Sequence, residues 1–93
     1  MPRRNEVKAG TMHYVYMLQS EADPDRFYVG LTTDLKRRFD EHNSGKSIHT
    51  NKYIPWKLVT YIAFSNREKA EKFERYLKSG SGRSFATKHF WAR

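Results

Sequence analysis

The stretch from Phe27 to Gly45, FYVGLTTDLKRRFDEHNSG, decides how this chain folds. Its first five residues, Phe27 to Leu31, are short, aromatic and branched, the composition of a strand. Thr33 or Asp34 then offers a side-chain oxygen to the free amides of a helix start. Leu35, Phe39 and His42 recur at three- and four-residue spacing, the period of a helix with one inward face. Ser44-Gly45 closes that helix, because glycine suits the left-handed residue that ends many helices. The stretch reads as strand, cap, amphipathic helix and stop.

On the N-terminal side, His13 to Gln19 (HYVYMLQ) reads as another short strand. The two strands are joined by a polar segment with Asp23-Pro24-Asp25, where proline fixes its backbone angle and the carboxylates bond local amides. An antiparallel hairpin is the natural pairing. On the C-terminal side, residues 46 to 56 form a polar loop closed by Pro55. Leu58 to Phe64 (LVTYIAF) is the most apolar strand, and its composition predicts a central place in the sheet. Ser65 or Asn66 caps a second helix from Arg67 to about Lys78, with Ala70, Phe73 and Leu77 at helical spacing. Ser79-Gly80-Ser81-Gly82 breaks it, and a basic tail with Phe85, Phe90 and Trp91 follows, with room for a short helix. The expected fold is α/β of the α+β kind: a small three-stranded antiparallel sheet flanked by helices. One domain over residues 12–93 follows a flexible basic tail at 1–11.

Charge gives the first functional indication. Eighteen Lys and Arg face ten Asp and Glu, a net charge of +8 with a pI near 9.9. A surplus of that size on 93 residues favours polyanions, nucleic acid first among them. A mean hydropathy of -0.91 describes a very polar surface, and 15% aromatic content is enough for an ordered core. With no cysteine, disulfides and thiolate metal sites are excluded. No apolar run approaches a membrane span or a secretory signal, so the expectation is a cytoplasmic protein without membrane contact.

Cutting a phosphodiester bond requires a deprotonated nucleophile, neutralised charge around phosphorus, a stabilised leaving oxygen and a held strand. Tyr16 and Tyr28 lie on neighbouring strands and bring two hydroxyls toward one patch. Arg38 and His42 are four apart on the first helix and share a face. Glu74 lies in the second helix on or near the face that packs on the sheet. Lys36, Arg37, Lys46, Lys78 and Arg83 are the basic residues expected to meet nucleic-acid phosphates. Each chemical candidate also has a plainer role. A strand tyrosine is most often a packing residue, the arginines can form a solvated face, His42 suits a helix C-terminus, and Glu74 can pair with Lys78. Spacing alone goes no further than a basic α/β nucleic-acid-binding domain.

From Tyr14 to Phe90 the chain resembles the GIY-YIG nuclease superfamily, in particular its small stand-alone members. The first signature stands as Tyr14-Val15-Tyr16 and the second as Tyr28-Val29-Gly30, followed by Thr-Thr-Asp-Leu and then Arg-Phe-x-x-His-Asn-Ser-Gly. The third block, AEKFERYLKSGSGRSF, is similar to the family helix that carries a metal-binding glutamate. The resemblance implies that Tyr16 contacts or deprotonates the attacking water and that Tyr28 lines the same site. It implies that Gly30 permits close backbone approach, and that Arg38 binds the scissile phosphate beside Arg37. His42 takes a supporting acid/base position, and Glu74 is the sole carboxylate ligand of one divalent metal, Mg2+ or Mn2+. Tyr14 stands where the family name has glycine, and no clear equivalent of the asparagine some relatives carry beyond the metal helix lies between Ser84 and Phe90.

The expectation is a metal-dependent endonuclease acting on DNA, including branched or damaged DNA, with a protein partner supplying specificity. The alternative is a nucleic-acid-binding module with weak or no catalysis that acts beside a partner.

Overall fold

A computed structural model describes residues 10–91. The expected tail at 1–11 lies outside the described residues except for Gly10 and Thr11. The element order is β1 (His13–Ser20), β2 (Phe27–Thr32), α1 (Leu35–Asn43), a 3-10 turn (Asn51–Tyr53), β3 (Trp56–Phe64), α2 (Arg67–Lys78) and α3 (Gly80–His89). β1 pairs antiparallel with both neighbours in the order β2-β1-β3. β2 and β3 therefore run in the same direction on either side of β1. Strands so related need a long crossover, and α1 supplies it across one face of the sheet.

The caps follow local chemistry. The Asp34 side chain, rather than Thr33, accepts from the Arg37 amide, and Asn66 accepts from that of Lys69. Gly45, with φ +82, turns the chain out of α1 in a conformation that L side chains avoid.

Alternation along β1 divides the core. Val15 and Met17 face α2 and α3, where Ala70, Leu77 and Ala86 are buried with Val29, Leu31, Phe64 and Phe73 packed around them. Tyr16 and Leu18 face α1 with Trp56, against Tyr28, Leu35, Phe39, Tyr53 and Leu58. Each fully buried large apolar side chain contributes about 1.5–3 kcal/mol.

One expectation is corrected and two are sharpened. The sheet centre is β1, not the apolar β3. Apolar composition reports that a strand's faces are covered, whereas central position depends on pairing along both edges. β1 is buried without interruption from Val15 to Ser20, while β3 alternates and leaves Tyr61 about half exposed. The polar loop after α1 has an interior side, with Ser47 and Thr50 buried within it. Finally, the segment after the Ser-Gly-Ser-Gly run does hold a helix, and that helix begins inside the run. Ser79 closes α2 and caps α3 by accepting from the Gly82 amide, so a ten-residue helix starts at Gly80.

The two glycines of that run are not equivalent. A Cβ on Gly82 would stand 1.7 Å from the Tyr76 carbonyl oxygen and 2.7 Å from Leu77 Cα, both backbone atoms that cannot yield. A Cβ on Gly80 would meet nothing within 4 Å. Urea unfolding is expected to show Gly82→Ala less stable by about 1–3 kcal/mol from overpacking. Gly80→Ala is expected to be neutral or stabilising by up to about 1 kcal/mol.

Candidate active site

The site is built on the α1 face of β1 and β2. Tyr16 is opposite Gly30 in the β1–β2 register. A Cβ at Gly30 would lie 2.3 Å from both Cζ and Oη of Tyr16, so the phenol ring occupies the space a side chain would take. The glycine thus lets a side chain lie down across β2, not merely a backbone come near. Tyr28, two residues along β2 and so on the same face, places its ring centroid 6.2 Å from that of Tyr16. His42 contacts both rings, at 5.6 Å from Tyr16 and 4.9 Å from Tyr28.

The polar links are specific. Tyr16 Oη and His42 Nε2 are hydrogen-bonded at 2.8 Å. On the other side of the imidazole, Nδ1 is bonded to Thr50 Oγ1 at 2.7 Å. All three residues are buried, with at most 1% exposure. Burial, and then the Arg38 charge, pushes His42 down to about 4, so the ring is neutral at physiological pH. Burial first, then the neighbouring Tyr28, pushes Tyr16 up to about 12. The Arg38 charge acts on the Tyr16 hydroxyl, and Arg38 Nη1 donates to Glu41 Oε1 at 3.0 Å.

Glu74 comes from α2, on the opposite face of the sheet, yet its charge is felt at Tyr16. Its side chain is 18% exposed and paired with Lys78 Nζ at 2.6 Å. Among the described residues no group of three His, Asp or Glu side chains gathers to hold a metal alone. A single hard carboxylate suits magnesium, which keeps most of its water and fills its shell with substrate phosphate. In this structure Glu74 is paired with Lys78, and it would exchange that partner to hold such an ion.

The basic residues fall into two groups. Lys36, Arg37 and Lys46 border a shallow cleft with Asp34, Asp40 and Glu41, and two of them are paired, Lys36 with Asp40 and Arg37 with Asp34. Lys78 and Arg83 line a separate open cleft of about 440 Å³ with Arg26, Tyr28, Leu77 and Trp91. This cleft wraps the outer edge of β2, where Tyr28 and the second helix meet.

Residues 12–88 match the family model for the GIY-YIG catalytic domain. The chain belongs to the GIY-YIG family. GIY-YIG relatives include a UPF0213 protein of Streptococcus pneumoniae, 39% identical over 71% of this chain and 68% of that one. Another, from Halalkalibacterium halodurans, is 40% identical over 76% and 74%. The solution NMR structure of a UPF0213 protein from Bacillus halodurans shares the fold, with a TM-score of 0.52 and 35% identity over 83% of each chain. Among the described residues no helix is long and apolar enough to cross a membrane.

Two contributors to the GIY-YIG site escaped the sequence reading. Glu41, which holds Arg38, carried the signal of opposite charges three apart on a helix. Thr50 carried none, being one hydroxyl in a polar loop eight residues from its partner.

The neutral His42 makes folding sensitive to acid. The unfolded ring takes a proton below about pH 6.5, the folded ring only near 4, so stability is full above 6.5 and falls as pH drops toward 4. Between pH 7.5 and 5, wild type is expected to lose about 2 kcal/mol more than His42→Gln in urea unfolding. Equal losses in the two proteins would contradict the buried neutral imidazole.

Proposed function

We propose that this GIY-YIG domain is a metal-dependent endonuclease that hydrolyses phosphodiester bonds in DNA. The observation that carries the reading is the convergence of Tyr16, Tyr28 and His42 in one hydrogen-bonded or contacting group, within the electrostatic reach of Arg38 and Glu74.

Each residue has a task that its surroundings suit. Arg38 is the permanent positive charge beside the phenol, held by Glu41, and neutralises charge that develops on the phosphorus oxygens. Tyr16 receives the proton of the attacking water as the new P–O bond forms. With its hydroxyl pushed up to about 12, it does not ionise beforehand at neutral pH. Its proton therefore moves only as the water becomes acidic at the phosphorus, and His42 is the neutral partner on the other side of that hydroxyl. Tyr28 opens onto the cleft with Lys78 and Arg83 and helps to hold the strand. Glu74 would hold a magnesium or manganese ion, with Lys78 released toward solvent or a phosphate. Bound there, the ion supplies Lewis-acid stabilisation of the leaving oxygen.

Nicking of supercoiled plasmid with and without magnesium tests the reading. Glu74→Ala and Arg38→Ala are each expected to lower the rate by about 100-fold or more. Undiminished nicking by both variants would overturn the assignment, and magnesium-independent binding without product would point to a binding module.

Charge environment ranks the two basic groups. Lys36 and Lys46 stand among Asp34, Asp40 and Glu41, whereas Arg83 lines the cleft beside Tyr28. In binding titrations, Arg83→Ala is expected to weaken DNA affinity more than Lys36→Ala. It should also reduce the salt slope by about 0.9, the loss of one phosphate contact. The reverse ranking would place the DNA path over α1.

A further inference from the structure

We propose that Thr50 is a positioning residue: its hydroxyl accepts the Nδ1 proton of His42, leaving Nε2 unprotonated to accept the hydroxyl proton of Tyr16. The proposal rests on the nuclease reading for its catalytic consequence, but not for the geometry it assigns.

The argument begins with what each atom can do. A neutral imidazole carries one proton on two nitrogens, so one nitrogen donates and the other accepts. Both nitrogens of His42 have partners, Tyr16 Oη at 2.8 Å and Thr50 Oγ1 at 2.7 Å. Both partners are hydroxyls, which donate or accept, so distance alone leaves two arrangements. Arg38 breaks the symmetry. A guanidinium carries only N–H donors and a permanent positive charge, and the Arg38 charge acts on the Tyr16 hydroxyl. That positive charge draws the lone pairs of the Tyr16 oxygen and turns its O–H dipole away, toward His42 Nε2. The imidazole proton is left on Nδ1, facing Thr50.

The fold holds Thr50 in place for this role. Its carbonyl accepts from Trp56 Nε1 at 2.8 Å and from the Tyr53 amide at 3.2 Å, and its own amide donates to the Ser47 carbonyl at 3.2 Å. Trp56 is in turn clamped to α1. Its amide donates to Asn43 Oδ1 at 2.5 Å, and Asn43 Nδ2 donates to its carbonyl at 2.9 Å. The residue after His42 thus secures the loop that orients His42. With Thr50 fully buried, no water competes for the Nδ1 proton.

The consequence is a defined path for one proton. As water adds to phosphorus and the bond to the leaving oxygen breaks, the water's proton passes to Tyr16 Oη. The proton that Tyr16 carried passes to His42 Nε2, leaving Tyr16 neutral and His42 cationic until release to solvent. If Nε2 carried the imidazole proton, Tyr16 would have nowhere to send its own.

Nitrogen-15 NMR of the His42 ring tests this in the full chain, with no metal or DNA present. The expected result is a neutral ring protonated at Nδ1 in wild type and in Thr50→Ser, with a shift toward the Nε2-protonated form in Thr50→Val. In plasmid nicking with magnesium, Thr50→Val is expected to lower kcat by roughly tenfold or more, with KM for DNA changed less than about twofold and activity retained by Thr50→Ser. An Nε2-protonated ring in wild type overturns the proposal, whether or not Thr50→Val folds. So does a Thr50→Val protein whose tautomer is unchanged, or one whose tautomer shifts while nicking does not. A wild-type ring protonated at Nδ1 in a protein that cuts no DNA would uphold the Thr50 geometry and reject the nuclease reading instead.

Discussion

The rest of the structure depends on one steric fact, that the Tyr16 ring lies where Gly30 has no side chain. A phenol on the central strand must go somewhere, and beside any larger residue it would stand up toward α1 and push the helix away. Laid across β2, it keeps its bulk within the sheet layer and delivers its hydroxyl to His42 on the overlying helix. α1 can then pack closely through Leu35 and Phe39, and the same approach brings Arg38 to the phenol. The signature glycine and the signature tyrosine are therefore two halves of one contact, and the catalytic candidates on α1 follow from it.

Burial sets the electrostatic character of the group. Tyr16 and His42 are both held in their neutral forms, the first by resisting loss of a proton and the second by resisting gain of one. Charge is confined to Arg38, with Glu41 behind it, and to the Glu74–Lys78 pair on the far helix. A neutral relay between two cation-bearing positions suits a reaction in which negative charge collects on a phosphate and a single proton must leave the water. The cost falls on folding, because a buried imidazole that stays unprotonated is a liability in acid.

Much of this is legible in the sequence alone. Strands, caps and helix faces followed from periodicity and from Asp34, Asn66 and Gly45. The His-Asn-Ser-Gly block marked a helix end, although its inner logic was not visible: His42 reaches Tyr16, Asn43 clamps Trp56, Ser44 caps and Gly45 turns. Strand order is not legible because apolar composition is silent about edges: β3 is the most apolar strand, yet it leaves Tyr61 about half exposed while β1 is buried. Gly82 read as a breaker because its reason for being glycine, the backbone of Tyr76 and Leu77, belongs to another helix. Thr50 was beyond reach for a similar reason. A hydroxyl in a loop acquires meaning only when tertiary structure sets it against a ring nitrogen.

The contact between Tyr16 and Gly30 is tested most directly by a double-mutant cycle in urea unfolding. Gly30 does not have positive φ, so alanine meets no backbone strain there and only the phenol opposes it. Gly30→Ala is predicted to cost about 1–3 kcal/mol in wild type but less than about 0.5 kcal/mol in a Tyr16→Ala background, where the ring is gone. An equal cost in both backgrounds would mean that the glycine serves something other than the tyrosine, and the account of the site would lose its foundation.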